Sequence, residues 1–359
     1  MKILCLIDSL GSGGAQRQMV ELAKGFTAKG HKVSFLIYHD INFYKNELDF
    51  TDINVKVISE SNYIRRLFRI RKEIRVSKPD VLLSFLDSSN FIAEFSSIPY
   101  KSWKLIVGER SSNPKLKTNY KLRLYKTFHL FADYIVSNSF ANATLLKEVT
   151  PFVNKKKIKV IYNALDSNFW SPIDNSKAQD IPIKIVVASS HQFLKNLRGL
   201  IEALNLMSES EKINFNITWY GDESLDDSLK EGKKLLKKYS INKNILDFRK
   251  ATSDIFKAYQ NADAVALFSF YEGLPNTVCE AMMMQLPVVA SNVSDIPLLI
   301  TSDLTFDPND PVSIKETLLL LISKKGVELR TIGSENRKKA LEYFKKDIII
   351  DKYLNLMEK

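Results

Sequence analysis

The first half of the chain alternates short, continuously apolar runs with segments of amphipathic helical pattern. Residues 15–30, for example, place Met19, Leu22, Ala23 and Phe26 on one helical face. Apolar runs that lack strict alternation are typical of strands buried on both faces of a parallel sheet. We therefore predict strands over 2–8, 32–38, 54–59, 79–86, 104–109, 134–139 and 158–164.

A polar segment with two prolines, 166–182, predicts a linker, and the alternation restarts after it. The predicted strands of the second half are 183–189, 215–221, 245–250, 264–270, 287–291 and 304–306. The predicted helices include 197–207 and 228–239, and a final helical stretch from Pro311 is expected to kink or break near Gly333. This pattern predicts an α/β protein with two doubly wound, Rossmann-like parallel-sheet domains facing across a cleft. We place the domains at 1–168 and 169–340, and expect a C-terminal helix over 341–359 to pack back on the first domain.

The net charge of +11 is concentrated in the first domain. Its 168 residues contain 27 lysines and arginines against 15 aspartates and glutamates, whereas the remainder of the chain is nearly neutral. The predicted helix over 63–78 combines an apolar face with a basic face that carries Arg65, Arg66, Arg69 and Lys72. These four residues are predicted to contact an anionic membrane surface. The alternative is the solvated face of an ordinary core-packed helix.

The composition excludes several classes of protein. A chain of 359 residues that is 45% hydrophobic and 26% charged is not a disordered protein. Cys5 and Cys279 cannot form a disulfide framework and fit a reducing cytoplasm. The first apolar run is interrupted by Asp8 and no run reaches about 18 apolar residues, so we expect neither a secretory signal nor a membrane span. No nucleic-acid-binding module is found, and membrane association would be peripheral.

Three glycines, Gly11, Gly13 and Gly14, lie between the first predicted strand and the first helix. Glycines here allow close approach of a phosphate, and the helix N-terminus offers free N–H groups to it. Gln16 replaces the last glycine of the dinucleotide-binding pattern, and Asp40 lies beyond the expected position of the ribose-binding acid. A nicotinamide-dependent oxidoreductase is therefore a disfavoured alternative, and a simple tight turn is another.

The segment 269–291 carries two acidic residues beside a predicted helix start. Glu272 lies in the loop, Pro275 and Asn276 suit the first helical positions, and Glu280 lies within the helix. Helix N-terminal amides can hold a phosphate, and a carboxylate can accept hydrogen bonds from two sugar hydroxyls. This combination suits a nucleotide sugar, although a surface glutamate and a capping glutamate would give the same pattern.

The chain resembles the retaining glycosyltransferases of family 4, which have the GT-B fold. The similarity lies in the segments GSGGAQ (11–16), VIYNALD (160–166), VVASSHQFLKN (186–196), YGDE (220–223) and NADAVALFSFYEGLPNTVCEAM (261–282). These segments occur in the family's order along nearly the whole chain, which makes the combination far more specific than any one of them.

The resemblance implies roles for individual residues. Glu272 and Lys195 would be the catalytic pair, with Glu272 at the donor sugar, Lys195 at the pyrophosphate and Glu280 at the ribose. The predicted donor-binding residues are Gly13, Gly14, Ser190, His191, Lys195, Gly221, Glu272, Gly273, Leu274, Asn276, Thr277 and Glu280. Arg110 and Asn138 are predicted to contact the acceptor or a phosphate, whereas a surface salt bridge is the structural alternative for Arg110.

The chain departs from the family pattern at Ser190, where the family often has an arginine. His191 or Arg110 would then have to meet one phosphate charge. No Asp-x-Asp motif occurs, and Lys195 together with helix dipoles is expected to replace a metal ion. We expect neither a metal nor another cofactor.

The expected activity is transfer of a sugar from a nucleotide-diphosphate sugar, favoured as UDP-linked, to a glycan or lipid-linked glycan in surface-polysaccharide synthesis. We expect the protein to be cytoplasmic and peripheral on the inner face of the plasma membrane. A nucleotide-sugar epimerase or hydrolase of the same fold and a non-catalytic polyanion-binding protein are the remaining alternatives. The sequence does not identify the donor sugar, the acceptor or the oligomeric state.

Overall fold

The seven strands predicted in the first half form one parallel sheet with the order β3-β2-β1-β4-β5-β6-β7. The computed structural model describes residues 1–172, 181–223, 226–252, 254–324 and 326–358. The strands are β1 Lys2–Leu6, β2 Lys32–Ile37, β3 Asn54–Val57, β4 Val81–Phe85, β5 Lys104–Glu109, β6 Tyr134–Ser137 and β7 Ile158–Val160. The strand order changes direction between β1 and β4, which lie parallel to each other. In open α/β sheets, ligands bind beyond the carboxyl ends of the strands at such a point.

Helices cover both faces of this first sheet. They are α1 Gly14–Ala28, α2 Lys45–Leu48, α3 Tyr63–Ser77, α4 Asp87–Ser96, α5 Tyr120–Thr127 and α6 Phe140–Val149. Within β1, Ile3 and Cys5 belong to one core cluster while Leu4 and Leu6 belong to another. Alternate residues of the strand are therefore buried on opposite faces, which explains why the strand is continuously apolar.

A second parallel sheet has six strands in the order β10-β9-β8-β11-β12-β13. They are β8 Ile183–Ala188, β9 Phe215–Tyr220, β10 Leu246–Arg249, β11 Ala264–Leu267, β12 Val288–Ser291 and β13 Thr305–Phe306. The helices that follow them are α7 Leu197–Asn205, α8 Glu209–Lys212, α9 Ser228–Lys238, α10 Ile255–Gln260, α11 Asn276–Met283, α12 Ile296–Leu299, α13 Pro311–Ser323 and α14 Gly326–Tyr343. All thirteen predicted strands are present in the structure, most of them shorter by one to three residues.

The chain divides into an N-terminal unit, Met1–Ala164 with Phe344–Lys359, and a C-terminal unit, Leu165–Tyr343. The last helix, α15 Lys346–Glu358, packs on α1 within the N-terminal unit. A Cβ atom at Gly25 would lie 2.3 Å from Ile350 Cδ1, so a glycine is needed where the two helices touch. The sequence placed the corresponding boundaries at 168 and 340, whereas the compact units meet at 164 and 343.

The predicted helix break near Gly333 is wrong. Helix α14 continues through Gly333, where an added Cβ would lie 2.1 Å from the carbonyl oxygen of Gln285. The glycine thus lets α14 approach the turn that follows α11.

The start of the predicted linker is packed rather than extended. Trp170 is buried in the C-terminal unit, with its ring 5.9 Å from those of Phe256 and Tyr259. The part of this prediction that covers 173–180 lies outside the described residues.

Candidate active site

The carboxyl edge of the second sheet brings Lys195 and Glu272 together. Lys195 ends a 3-10 turn, Phe193–Lys195, that follows β8, and Glu272 lies in the loop between β11 and α11. Lys195 Nζ lies 2.5 Å from Glu272 Oε1, and Ser269 Oγ donates to the same carboxylate oxygen at 2.6 Å. The two charged side chains are 16% and 13% exposed, so the pair lies at the surface of the unit but is mostly desolvated.

Backbone contacts fix the two segments that carry this pair. The amide of Phe270 donates to the carbonyl of Leu194 at 3.0 Å, and the rings of Phe193 and Phe270 lie 5.2 Å apart. The hydroxyl of Ser294 donates to the carbonyl of Gly273. The Glu272 loop is therefore held to the Lys195 turn on one side and to the segment after β12 on the other.

Helix α11 begins beside this loop. Pro275 is the residue before the first helical position, with φ −72° and ψ 121°, as the sequence indicated. Thr277 Oγ1 donates to the carbonyl of Ala188 at 2.7 Å and so ties the first turn to the end of β8. The free amides of the first turn give this end partial positive charge. Leu274 and Glu280 are both buried, and Glu280 lies in the second turn of the helix.

Gly221 and His191 pack behind the site at the ends of β9 and β8. A Cβ at Gly221 would lie 2.0 Å from the carbonyl oxygen of Ser189, so the backbone beside Ser190 requires a glycine there. His191 is buried, with its ring 5.3 Å from that of Phe248. Burial lowers the pKa of His191, which favours the neutral form of the ring.

The glycine turn of the N-terminal unit leads directly into α1. Gly13 precedes the first helical residue, Gly14, and has φ −68°, a conformation that other residues also adopt. A Cβ at Gly13 would meet the side chain of Gln16, whose Nε2 donates to Asp8 Oδ1 at 3.0 Å. Close packing with this side chain, and not a left-handed backbone, is what favours glycine at position 13.

Arg110 and Asn138 follow the carboxyl ends of β5 and β6. Arg110 Nη2 donates to Asn163 Oδ1 at 2.6 Å, and its guanidinium lies 4.6 Å from the centre of the Phe85 ring. These are contacts within the N-terminal unit, not the surface salt bridge considered as the alternative. Asn138 is buried, and its backbone N–H donates to the backbone carbonyl of Glu109 at 3.3 Å.

A buried charge cluster lies at the same edge of the first sheet, formed by Glu94, Glu109, Lys126 and His129. Lys126 Nζ lies 2.5 Å from Glu109 Oε2, and His129 Nδ1 lies 2.5 Å from Glu94 Oε1. His129 Nε2 lies 3.3 Å from Glu109 Oε1. Lys126 also reaches Asp87 at 2.7 Å, whose side chain is 56% exposed.

Charge pairing outweighs desolvation for three members of the buried charge cluster, and for Lys126 it raises the pKa. Burial alone would raise the pKa of Glu109, but Lys126 and His129 lower it to about 2. Burial alone would lower the pKa of His129, but Glu94 and Glu109 raise it to about 9. Sequence reasoning missed this cluster because its members are dispersed over 94–129 and share no spacing or motif.

The basic residues of α3 do not all face solvent. Arg65, Arg69 and Lys72 are exposed, and Arg69 forms a 3.4 Å ion pair with Glu60. Arg66 lies over the ring of Tyr38 at 4.9 Å. Of the four residues predicted to contact a membrane, Arg65, Arg69 and Lys72 are thus exposed, whereas Arg66 is partly covered.

Two further arginines of α3 bind the end of α4. Arg71 Nη1 donates to the carbonyl of Phe95 at 2.6 Å, and Arg75 Nη2 donates to that of Ser96 at 3.0 Å. They satisfy carbonyls that a helix end leaves without partners, which explains why Arg71 does not fit the division of the helix into two faces.

Over the described residues, no helix is both long and apolar enough to cross a bilayer.

Two doubly wound parallel sheets with this strand order place the protein in the α/β class. Residues 12–169 match the model of Glycosyltransferase Family 4, and residues 182–324 match that of Glycosyl transferases group 1. The chain belongs to the family 4 glycosyltransferases and has the GT-B fold. This membership decides against a nicotinamide-dependent oxidoreductase.

Relatives and solved structures agree with this assignment. The chain is 27% identical, over 81% of its length and 79% of the relative, to a Campylobacter jejuni protein named GalNAc-alpha-(1->4)-GalNAc-alpha-(1->3)-diNAcBac-PP-undecaprenol alpha-1,4-N-acetyl-D-galactosaminyltransferase. It is 26% identical, over 82% of its length and 81% of the relative, to an uncharacterized glycosyltransferase of Haemophilus influenzae. The crystal structure of Anabaena HepE in complex with UDP superposes with a TM-score of 0.85 at 19% identity and covers 100% of both chains.

Proposed function

We propose that the protein transfers a sugar, with retention of anomeric configuration, from a UDP-sugar to a hydroxyl of a lipid-linked glycan in cell-surface polysaccharide synthesis. The observation that carries the proposal is the Lys195–Glu272 pair beside the N-terminus of α11. The UDP bound by the structurally similar HepE supports the nucleotide, and the undecaprenol-linked substrate in the name of the Campylobacter relative supports the acceptor class.

Two sources of positive charge are available for the diphosphate. Lys195 supplies an ammonium group, and the N-terminal end of α11 supplies the partial positive charge of the helix dipole. Together they stabilise the charge that develops on the leaving nucleoside diphosphate, which is the role of a metal ion in other transferases. We therefore propose that transfer is metal-independent, which predicts that activity persists in excess EDTA.

Glu272 is proposed to hold the donor sugar. Its carboxylate accepts hydrogen bonds from Ser269 and Lys195 through one oxygen, Oε1. The other oxygen, Oε2, would accept hydrogen bonds from sugar hydroxyls and stabilise the positive charge of the transition state. The acceptor hydroxyl attacks the face from which the diphosphate departs, and we do not assign Glu272 as a nucleophile.

The remaining donor contacts are assigned from the resemblance to the family. Backbone amides of Gly273, Leu274 and Thr277 are assigned to sugar and phosphate, and Glu280 to the ribose. Recognition of the acceptor is assigned to the N-terminal unit, with Arg110 and Asn138 at the carboxyl edge of its sheet.

The proposed location is the cytoplasmic face of the plasma membrane, where the protein associates peripherally with anionic lipid. The exposed Arg65, Arg69 and Lys72 support it, because each basic residue near such a surface contributes about 1 kcal/mol. The fourth residue of the predicted set, Arg66, would contribute less because it is stacked on Tyr38.

A donor screen tests the proposed reaction. Thermal unfolding of the intact chain with a panel of nucleotide sugars should show a raised midpoint with a UDP-sugar, because a ligand that binds only the folded state stabilises it. Incubation of that donor with a lipid-linked glycan should then give a product whose anomeric configuration, determined by NMR, is that of the donor. Release of free sugar, or an epimerised nucleotide sugar without acceptor, would instead identify a hydrolase or an epimerase.

A further inference from the structure

Arg110 combines a rigid setting with a positive charge that its protein neighbours do not neutralise. Its half-buried guanidinium lies 4.6 Å from the centre of the buried Phe85 ring and donates to Asn163 Oδ1 at 2.6 Å. The hydroxyl of Tyr353, on α15, also lies beside the guanidinium. An aromatic ring, an amide and a hydroxyl surround this charge, and all three are neutral.

The charge of Arg110 persists without a counter-ion. Burial lowers the pKa of Arg110, and the neighbouring Tyr353 opposes this only in part. Within the part of the chain that the structure describes, no carboxylate contributes to this pKa. The buried Lys126, by contrast, is paired with Glu109 at 2.5 Å. An arginine stays protonated in proteins and a charge withdrawn from water is normally paired, so the setting of Arg110 favours an anionic ligand.

Contacts of the preceding residues hold Arg110 in place. A Cβ at Gly108 would lie 2.2 Å from Phe85 Cδ1, so this glycine makes room for the ring that the guanidinium covers. The side chain of Asn90 donates to the carbonyl of Gly108 at 3.0 Å, and that of Asn142 donates to the carbonyl of the next residue at 3.1 Å. The backbone that leads to the guanidinium is thus fixed before a ligand binds, which reduces the entropy cost of binding.

We propose that Arg110, held by these contacts, binds a phosphate group of a substrate beyond the carboxyl end of β5. A guanidinium offers several N–H donors in one plane, and the contact with Asn163 leaves others that can donate to two phosphate oxygens at once. This proposal rests on the proposed function and sharpens it. Arg110 is assigned there to the acceptor in general terms, whereas here the recognised group is a phosphate and not a sugar hydroxyl.

The proposed reaction contains two groups with this chemistry. One is the diphosphate of the donor, and the other is the diphosphate that joins glycan to lipid, as in the undecaprenol-linked substrate named for the Campylobacter relative. Both present paired anionic oxygens, which the planar fork of an arginine matches better than the point charge of a lysine.

The first experiment measures stability and binding of the intact chain. Arg110→Gln should leave the midpoint of thermal unfolding unchanged or raise it, because the substitution removes a charge that has no counter-ion. Inorganic pyrophosphate is the probe, titrated calorimetrically into proteins that also carry Lys195→Met to weaken the proposed donor site. Its affinity should fall at least about tenfold with Arg110→Gln. Arg123→Gln is the matched control, because Arg123 is exposed on α5 of the same unit.

Two further measurements, made without the Lys195 substitution, identify the source of the phosphate. A loss of at least about tenfold in UDP affinity with Arg110→Gln would assign the phosphate to the donor. Unchanged UDP affinity, with KM for a lipid-linked glycan raised by a similar factor and kcat little changed, would assign it to the acceptor. Arg110→Lys should recover part of the lost affinity in either case, because it restores the charge without the planar fork.

The outcomes separate this proposal from the proposed function. If Arg110→Gln lost stability and bound pyrophosphate, UDP and acceptor as the wild type does, Arg110 would be a structural residue and the proposal would be overturned. If the wild type bound no nucleotide sugar, the proposed transfer reaction would fail. Binding of pyrophosphate that depends on Arg110 would still support the phosphate site in that case.

Discussion

The carboxyl edges of the two sheets carry the same kinds of charged side chain in different states of burial. At the first edge, Glu109 and Lys126 are each 4% exposed. At the second edge, Lys195 and Glu272 are 16% and 13% exposed. Lys195 Nζ and Ser269 Oγ both contact Glu272 Oε1. Both pairs have a 2.5 Å nitrogen–oxygen distance. The pairs differ mainly in their access to solvent.

This difference in burial suggests different roles for the two charged pairs: a structural role for the pair of the first unit and, as we propose, donor binding for the pair of the second. A buried cluster of paired charges cannot exchange partners without a large desolvation cost. The cluster fixes the end of β5 and the loop that begins with Arg110. The more exposed Lys195 can leave Glu272 for a phosphate, and the N-terminus of α11 provides further donors beside it. A similar strand order thus positions a buried charge cluster in one unit and, in the other, the more exposed pair that we propose binds the donor.

The largest effect is expected from Glu109→Gln at the buried edge. The substitution leaves the buried Lys126 with only the exposed Asp87 and the buried His129 with only Glu94, so the free energy of unfolding should fall by about 3–5 kcal/mol. Urea unfolding of the intact chain measures this. The control is Glu148→Gln, which removes the exposed ion pair with Lys117 and should change stability by less than about 1 kcal/mol. Similar losses in both variants would show that burial does not set the cost.

The same substitution at the second edge should affect turnover instead. Glu272→Gln removes a charge from the site of the developing positive charge, and we expect kcat to fall by about 10²–10³-fold with little change in the unfolding midpoint. The matched control Glu335→Gln lies exposed on α14 and should leave kcat unchanged. Wild-type turnover by the Glu272 variant would refute the assignment of this carboxylate.

The buried edge should also give stability a pH dependence. His129 has its pKa raised to about 9 from an ordinary 6.5, so its contribution is complete below pH 6.5 and is lost as the pH rises through 9. The pKa of Glu109 is lowered to about 2, so its contribution to stability is lost only at acidic pH. The pKa of Glu94 is raised, mainly by burial. His129→Gln should remove the alkaline decrease, at most about 3 kcal/mol, in urea unfolding at pH 6.5 and 9.5. An unchanged alkaline decrease in this variant would assign it to other groups.

The smallest effect is expected for Lys195→Met. Loss of one ammonium group should weaken binding of a UDP-sugar by about 10–100-fold, since a hydrogen bond to a charged group contributes about 1.5–3 kcal/mol. Isothermal titration measures the affinity. Lys195→Arg should recover part of it by restoring charge, and if all three proteins bound the donor equally, Lys195 would not contact the diphosphate.

Local sequence patterns determined the strands, the family segments and the start of α11. Each of these depends on neighbouring residues: continuous apolar runs mark strands buried on both faces, and Pro275 and Asn276 mark a helix start beside Glu272. The buried charge cluster was not predictable, because Glu94, Glu109 and His129 meet only when α4, β5 and the turn after α5 pack together.

Tertiary structure also decided what individual residues do within a correctly predicted element. The sequence predicted helix α3 and its basic face, but packing against α4 turned Arg71 and Arg75 toward carbonyls and left Arg65, Arg69 and Lys72 exposed. Gly333 is a glycine because a neighbouring carbonyl approaches it, not because the helix ends there. The sequence by itself thus determined the order of elements and the segments of the proposed donor site, because each of these depends on residues that are contiguous in the chain. Only the folded chain decided which charges are paired, buried or free, because that depends on residues that are distant in sequence and adjacent in space.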